Sequence, residues 1–126
     1  MTPKKFLIVD DSALARRTLK QHLEALGHSV EEATDGAQAL ERFYLNGPDV
    51  VILDMVMTGM YGLEVLTKIR EMKPDALVIV ATADIQTSTA EQVRAAGAKA
   101  LLNKPVNRAA LAATIETVLN GGDTWS

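Results

Sequence analysis

The sequence predicts an α/β fold in which five parallel strands form one sheet with helices on both faces. Two observations point to this class. Short apolar runs that do not alternate with polar residues recur along the chain, and segments with helical spacing of apolar residues separate them. Strands covered on both faces of a parallel sheet have such unbroken apolar sequences. Strands that are separated by helices are parallel and are joined by right-handed crossovers.

Five segments fit the strands of this sheet. Three of them are strongly apolar and rich in β-branched side chains, a fourth is weaker, and one less apolar segment is typical of an edge strand. In chain order the predicted strands cover residues 6–9, 28–33, 50–53, 77–80 and 100–102.

Five further segments fit helices. In the first, apolar residues recur at steps of three and four and Gly27 follows as a stop, whereas Pro74 ends the third and Asn107 caps the last. In chain order the predicted helices cover residues 12–26, about 36–45, 63 to about 73, about 87–96 and 107–119.

Size and composition exclude several classes of protein. The chain has 126 residues, no cysteine and a net charge of −3, so a disulfide framework and a thiolate site are excluded and nucleic-acid binding is disfavoured. Its longest apolar run, residues 76–81, is too short to cross a bilayer, and the run after Lys5 stops at Asp10, unlike a signal peptide. We expect one cytoplasmic domain over residues 1–126, with a core from about 5 to 119 and a short tail over 120–126.

Polar side chains follow the predicted strands at their carboxyl ends. In an open α/β sheet the ligand site lies beyond these ends, where the strand order reverses. We therefore expect these side chains to lie near one another at one edge of the sheet. They are Asp10, Asp11, Asp54, Thr82 and Lys104.

Crowded carboxylates at neutral pH need either protons or a cation. Because the candidate ligands are all oxygen atoms, with no histidine or cysteine among them, a hard ion such as Mg²⁺ is favoured. Lys104 offers a positive charge to a phosphoryl oxygen or a carboxylate, and Thr82 offers a hydroxyl. These groups are explained together if Asp54 attacks phosphorus and becomes an acyl phosphate.

A known family carries a similar set of motifs in the same order. The chain resembles the receiver domain of bacterial two-component response regulators, and most of all the stand-alone, chemotaxis-regulator-like members without an output domain. The resemblance implies a flavodoxin-like (βα)5 fold with strand order 2-1-3-4-5. Each motif is weak alone, but the whole set at these spacings is specific. In this sequence the set is Asp10-Asp11, Asp54, Thr82-Ala83 and Lys104-Pro105.

The resemblance implies that the acidic residues form a phosphorylation site with Mg²⁺. Asp54 would accept a phosphoryl group from a sensor histidine kinase, a phosphotransfer protein or a small phosphodonor. Asp10 and Asp11 would hold Mg²⁺ together with Asp54 and the backbone carbonyl of Val56.

The resemblance also implies how the signal leaves the site. Thr82 and Lys104 would bind the phosphoryl oxygens, with a cis peptide bond before Pro105. Phosphorylation would then change the face formed by the fourth helix, the fifth strand and the fifth helix, which a downstream protein target contacts. The resemblance therefore implies a signalling switch and not a metabolic enzyme. Such a protein would be a monomer or a phosphorylation-linked dimer, and it would not bind nucleic acid directly.

The sequence departs from the family pattern at several positions. Receivers usually carry proline where Thr58 stands, aspartate where Tyr61 stands, and tyrosine or phenylalanine where Leu101 stands. A leucine cannot make the phenolic hydrogen bond, so output is expected to rely on backbone shifts near Asp84. Val56 and Asp84 are expected to influence how long the phosphoryl group survives.

Three alternatives share this architecture. An aspartate-nucleophile phosphohydrolase usually has a second aspartate two residues after the nucleophile, where this chain has Val56. A flavin-binding module would need a phosphate loop after the first strand, where Asp10-Asp11 would repel the phosphate. A constitutive pseudo-receiver is favoured only by Thr58 and Leu101.

A few other residues have simple structural interpretations. His22 and His28 lie outside the proposed cluster and are expected to face solvent. Arg16 and Arg17 form a short basic pair that is expected on a solvated helix face. Trp125 lies in the predicted tail and gives no functional signal.

Overall fold

A computed structural model describes residues 2–57, 59–83 and 86–125, and in them strands and helices alternate along the chain. The elements are β1 (Lys5–Val9), α1 (Ala13–Ala25), β2 (Ser29–Ala33), α2 (Gly36–Asn46), β3 (Val50–Leu53), α3 (Gly62–Met72), β4 (Leu77–Thr82), α4 (Thr87–Ala95), β5 (Ala100–Asn103) and α5 (Arg108–Leu119).

The strands form one sheet in the order β2-β1-β3-β4-β5, and every neighbouring pair is parallel. This confirms the predicted fold class and strand order. The order reverses between β1 and β3, so the crevice beyond their carboxyl ends is the expected ligand site. Val9 pairs with Leu53 at the ends of these two strands. The residues that follow them, Asp10 and Asp54, therefore begin side by side.

Successive strand residues contribute to two separate hydrophobic clusters, one on each face of the sheet. Leu7 belongs to the first core cluster, under α2, α3 and α4, whereas its neighbours Phe6 and Ile8 belong to the second core cluster, under α1 and α5. Side chains of a strand point alternately to opposite faces. Because helices cover both faces, both sets are buried, which explains why the sequences of the inner strands β1, β3 and β4 are continuously apolar.

Short polar side chains fix where several helices begin. The Ser12 hydroxyl accepts a hydrogen bond from the Ala15 N–H, and the Asp35 and Asn107 side chains make the equivalent caps of α2 and α5.

In the part of the chain that the structure describes, no helix is long and apolar enough to cross a membrane.

The prediction that His28 faces solvent is wrong. The side chain is buried, its ring lies 4.8 Å from that of Phe6, and its Nδ1 accepts a hydrogen bond from the Lys4 N–H. His22 is only half-buried and accepts a hydrogen bond from Nε of Arg108. Both imidazoles are therefore acceptors in the fold, and His28 is part of its packed interior.

The segment after α5 packs against the first core cluster. The Trp125 indole N–H donates to the Ala98 carbonyl at 2.8 Å, and the Thr124 N–H donates to the Lys99 carbonyl at 3.0 Å. The half-buried indole contacts the cluster, with the Arg94 guanidinium 6.0 Å from the ring centre. Trp125 was predicted to lie in a tail, but it has a packing role that no local pattern indicates.

We expect acid to destabilise the fold through His28. Burial, with a smaller contribution from Lys4, lowers the pKa of His28 below its ordinary value of 6.5. The folded state therefore favours the neutral ring, and its stability is retained above about pH 6.5 and lost as the pH falls towards the lowered pKa. Urea unfolding between about pH 7.5 and 5.5 should show a steeper loss for the wild type than for His28→Asn. A His22→Asn control with the same flattening would contradict this assignment.

We expect Trp125→Ala to lower the free energy of unfolding by about 2 kcal/mol, less than for a fully buried tryptophan because the indole is half-buried. Tyr44→Ala is the matched control, because this side chain is 78% exposed and its loss should change stability by less than about 0.5 kcal/mol. Urea denaturation of both variants measures the difference. A loss of stability in Trp125→Ala as small as that expected for Tyr44→Ala would show that the indole contacts add no stability.

Candidate functional site

Three carboxylates meet beyond the carboxyl ends of β1 and β3. Asp10, Asp11 and Asp54 each offer one carboxylate oxygen, and these oxygens all lie within 4.8 Å of one another. Asp10 and Asp54 are buried, with 2% and 8% exposure, whereas Asp11 is exposed. The cluster therefore lies in a crevice that solvent reaches from the Asp11 side.

Backbone hydrogen bonds set the positions of the two buried aspartates. The Asp54 N–H donates to the Val9 carbonyl at 2.9 Å, and the Asp10 N–H donates to the Ala33 carbonyl at 3.2 Å. The Asp10 carboxylate also accepts the Ser12 N–H at 2.9 Å, at the turn into α1. Because Ser12 itself caps the helix, a capping role does not account for both aspartates that precede it.

A lysine from the far side of the sheet neutralises part of this acidic cluster. Nζ of Lys104, just after β5, lies 2.5 Å from one Asp10 carboxylate oxygen and 3.5 Å from one of Asp54. The Lys104 N–H donates to the carbonyl of Thr82 at 2.9 Å. The peptide bond between Lys104 and Pro105 is cis, as the resemblance implies.

The positive charge around Asp54 only partly offsets the effects that disfavour its ionised carboxylate. Burial raises the pKa of the Asp54 carboxyl above its ordinary value, and the negative charge of Asp10 adds to this effect. The Lys104 ammonium and a hydrogen bond from the Val56 backbone N–H oppose the rise without cancelling it. A divalent cation would stabilise the ionised form, and oxygen donors of this kind suit a hard ion such as Mg²⁺.

The loop after Asp54 folds tightly over the end of β3. Met55 is fully buried, and its carbonyl accepts a hydrogen bond from the Gly62 N–H at the start of α3. A Cβ at Gly62 would collide with the Asp54 carbonyl and approach the Met55 Cα to 2.6 Å. Glycine is therefore required for α3 to begin this close to the acidic cluster.

Thr82 lies at the same edge as the carboxylates. It is the last residue of β4 and is buried, so the strand extends two residues further than the prediction of 77–80. Val56 is exposed beside Asp54, and Leu101 on β5 is half-buried against the first core cluster. Thr58, where the sequence departs from the family pattern, and Asp84, which is expected to influence the lifetime of the phosphoryl group, lie outside the described residues.

Arg16 also touches the site, although the sequence pattern does not identify it as a site residue. Arg16 was expected on a solvated face with Arg17, but its side chain is only 15% exposed, and only Arg17 is exposed. One terminal nitrogen of Arg16 donates to the Asp10 carbonyl at 2.8 Å, and its Nε lies 3.1 Å from a Glu32 carboxylate oxygen. A signal was present, since a cation near a helix N-terminus is unfavourable unless it finds local acceptors.

Comparisons with known proteins agree with this geometry. The family model of the response regulator receiver domain matches residues 6–116. Chemotaxis protein CheY of Thermotoga maritima is 37% identical over 103 residues, which cover 81% of this chain and 86% of that protein. Response regulator MprA of Mycobacterium sp. (strain KMS) is 38% identical over 119 residues, which cover 93% of this chain but 51% of that protein.

A solved structure shows the same fold. A CheY-like response regulator receiver domain protein from Methanospirillum hungatei JF-1 superposes with a TM-score of 0.89 at 29% identity, covering 94% of this chain and 95% of that one. The chain spans about half the length of the MprA relatives, so such relatives contain a receiver-like part within a longer protein. Fold, acidic cluster and family model together show that this chain belongs to the receiver domains of two-component response regulators.

Proposed function

We propose that this domain is a phosphorylation switch in which Asp54 accepts a phosphoryl group from a sensor histidine kinase, a phosphotransfer protein or a small phosphodonor. The observation that supports this most directly is the meeting of three carboxylates and one ammonium at the strand-order reversal. A carboxylate oxygen of Asp54 would form the new bond to phosphorus while the bond from phosphorus to the donor breaks. The electron pair of that bond leaves with the donor group.

The acidic cluster is suited to Mg²⁺, with Asp10, Asp11, Asp54 and the backbone carbonyl of Val56 as the proposed ligands. Bound Mg²⁺ would supply positive charge that offsets the carboxylates and an incoming phosphoryl group. The fit rests on the oxygen-only donor set of the three carboxylates. The raised pKa of Asp54 supports it, because a bound cation would offset the effects of burial and of the Asp10 charge.

Lys104 and Thr82 are the proposed partners of the phosphoryl oxygens. The Lys104 ammonium is 3.5 Å from Asp54 and mostly buried, so its charge is only weakly screened by water. Thr82 ends the neighbouring strand β4, and its hydroxyl is of the type that donates to a developing anion. Positioning and charge neutralisation of this kind are what phosphoryl transfer requires of a protein.

The proposed output surface is the face formed by α4, β5 and α5. An acyl phosphate would carry about −1.5 to −2 units of charge in place of the single negative charge of the Asp54 carboxylate, and both Thr82 and Lys104 connect the site to the ends of β4 and β5. With Leu101 in place of an aromatic residue, movement of these strand ends would carry the change to a downstream protein target. We propose that residues 1–126 act as a single cytoplasmic receiver, monomeric or dimeric on phosphorylation, without direct nucleic-acid contact. The predicted core over about 5–119 is extended by Trp125, which packs against the first core cluster.

Acyl phosphate formation can be tested by intact-mass analysis. Incubation with acetyl phosphate should give one phosphoryl adduct that depends on Mg²⁺ and is absent in Asp54→Asn, because the amide is a poor nucleophile. Asp75→Asn is the matched control, since this exposed aspartate lies away from the cluster and should not alter the adduct. An adduct that persists in Asp54→Asn would move the acceptor elsewhere, and rapid turnover of phosphomonoesters would favour a hydrolase.

Replacing Lys104 should separate metal binding from phosphorylation. Lys104→Met removes a positive charge next to the carboxylates, so Mg²⁺ should bind more tightly in calorimetry. The rate of adduct formation should fall roughly 100-fold, because one donor to the phosphoryl oxygens is lost. Lys68→Met, on the exposed face of α3, is the control and should change neither quantity. Weaker Mg²⁺ binding in Lys104→Met would instead mean that the ammonium holds the carboxylates in place.

A further inference from the structure

Arg16 connects the acidic cluster to the edge of the sheet. Its guanidinium donates to the Asp10 carbonyl at 2.8 Å and to a carboxylate oxygen of Glu32, on β2, at 3.1 Å. Lys20 lies 3.9 Å from the other Glu32 oxygen. We propose that Arg16 is a positioning residue that fixes the backbone of Asp10 and so aims its carboxylate into the metal site. This inference rests on the proposed function, because it concerns the Mg²⁺ site of that same cluster.

Asp10 needs such a support because it lies one residue beyond the end of β1. Each of its polar atoms is engaged in a different direction: its N–H with Ala33, one carboxylate oxygen with the Ser12 N–H, and the other with Lys104. The hydrogen bond that the Arg16 guanidinium donates to the Asp10 carbonyl completes this set. The carboxylate orientation is thus determined by bonds to three elements of the fold, and the Arg16 bond fixes the peptide plane from which the side chain projects.

The chemistry of arginine suits this role better than that of lysine. The planar guanidinium has several donors in a fixed fork, so it can hold a carbonyl and a carboxylate at the same time, whereas a lysine ammonium is a single point of charge on a flexible stem. Glu32 balances the charge of the mostly buried guanidinium. The neutral Asp10 carbonyl therefore receives a directed hydrogen bond while the net charge near the metal site changes little.

Two simpler roles for Arg16 make different predictions. If its cation only repels a metal ion, its removal should strengthen Mg²⁺ binding, as expected for Lys104. If it only ties α1 to β2, its removal should lower stability without affecting Mg²⁺ affinity. A positioning role predicts weaker Mg²⁺ binding, because loss of a residue that orients a metal ligand typically costs about 10- to 100-fold in affinity.

The test compares Mg²⁺ affinity by calorimetry and stability by urea unfolding in matched variants. Arg16→Met should bind Mg²⁺ roughly tenfold more weakly than the wild type, and Arg16→Lys should recover only part of the loss. Arg42→Met is the control, because Arg42 makes a 3.5 Å ion pair with Glu31 on the same strand β2, with similar exposure of its partner. It should retain wild-type Mg²⁺ affinity even if its stability falls.

The outcomes are distinguishable from failure of the proposed function. Wild-type or tighter Mg²⁺ binding by folded Arg16→Met overturns the positioning role, and if this variant does not fold, full affinity in Arg16→Lys does the same. A wild-type chain that does not bind Mg²⁺ overturns both the metal site and the role of Arg16. Mg²⁺ binding without an acyl phosphate adduct overturns the phosphorylation proposal alone, and the affinity comparison among variants still decides the role of Arg16.

Discussion

The register between β1 and β3 is the constraint on which the site depends. Pairing of Val9 with Leu53 places Asp10 and Asp54 next to each other, although two like charges in a buried crevice repel. A slip of one residue would turn the apolar side chains of a strand to the opposite face and displace the aspartate that follows it by about 3.3 Å. Apolar packing on both faces of the sheet therefore holds the carboxylates together against their own repulsion.

This repulsion also explains why the site involves the whole width of the sheet from β2 to β5. Lys104 follows β5 and reaches Asp10 beyond β1, and Arg16 joins the Asp10 carbonyl to Glu32 on β2. A change of charge at Asp54 therefore acts on Lys104, which contacts the carboxylates of both Asp54 and Asp10. A phosphoryl group would compete with Asp10 for Lys104, and a cation would compete with Lys104 for Asp10. The state of the site and the position of β5 would therefore be energetically coupled.

The sequence alone was sufficient for the parts of the molecule that follow from local pattern. Apolar runs marked four strands and a less apolar segment marked the edge strand β2, and the rule for carboxyl ends of parallel strands brought Asp10, Asp54 and Lys104 to one edge. The strand order came from the family resemblance. The roles of residues that depend on tertiary contacts could not be predicted in this way. Burial of His28 and the Asp10 contact of Arg16 depend on partners that no periodicity reveals. The extension of β4 likewise comes from its pairing with β5.

The two ends of β5 have different anchors, and this bears on the absence of an aromatic residue at Leu101. At its carboxyl end the strand continues into Lys104, which contacts the carboxylates; just before its amino end, Ala98 and Lys99 accept hydrogen bonds from the segment that carries Trp125. Leu101 and the indole pack against the same core cluster beneath α4. A displacement of β5 that begins at Lys104 must therefore be accommodated within that cluster or at the Trp125 contacts, because close-packed interiors transmit such strain.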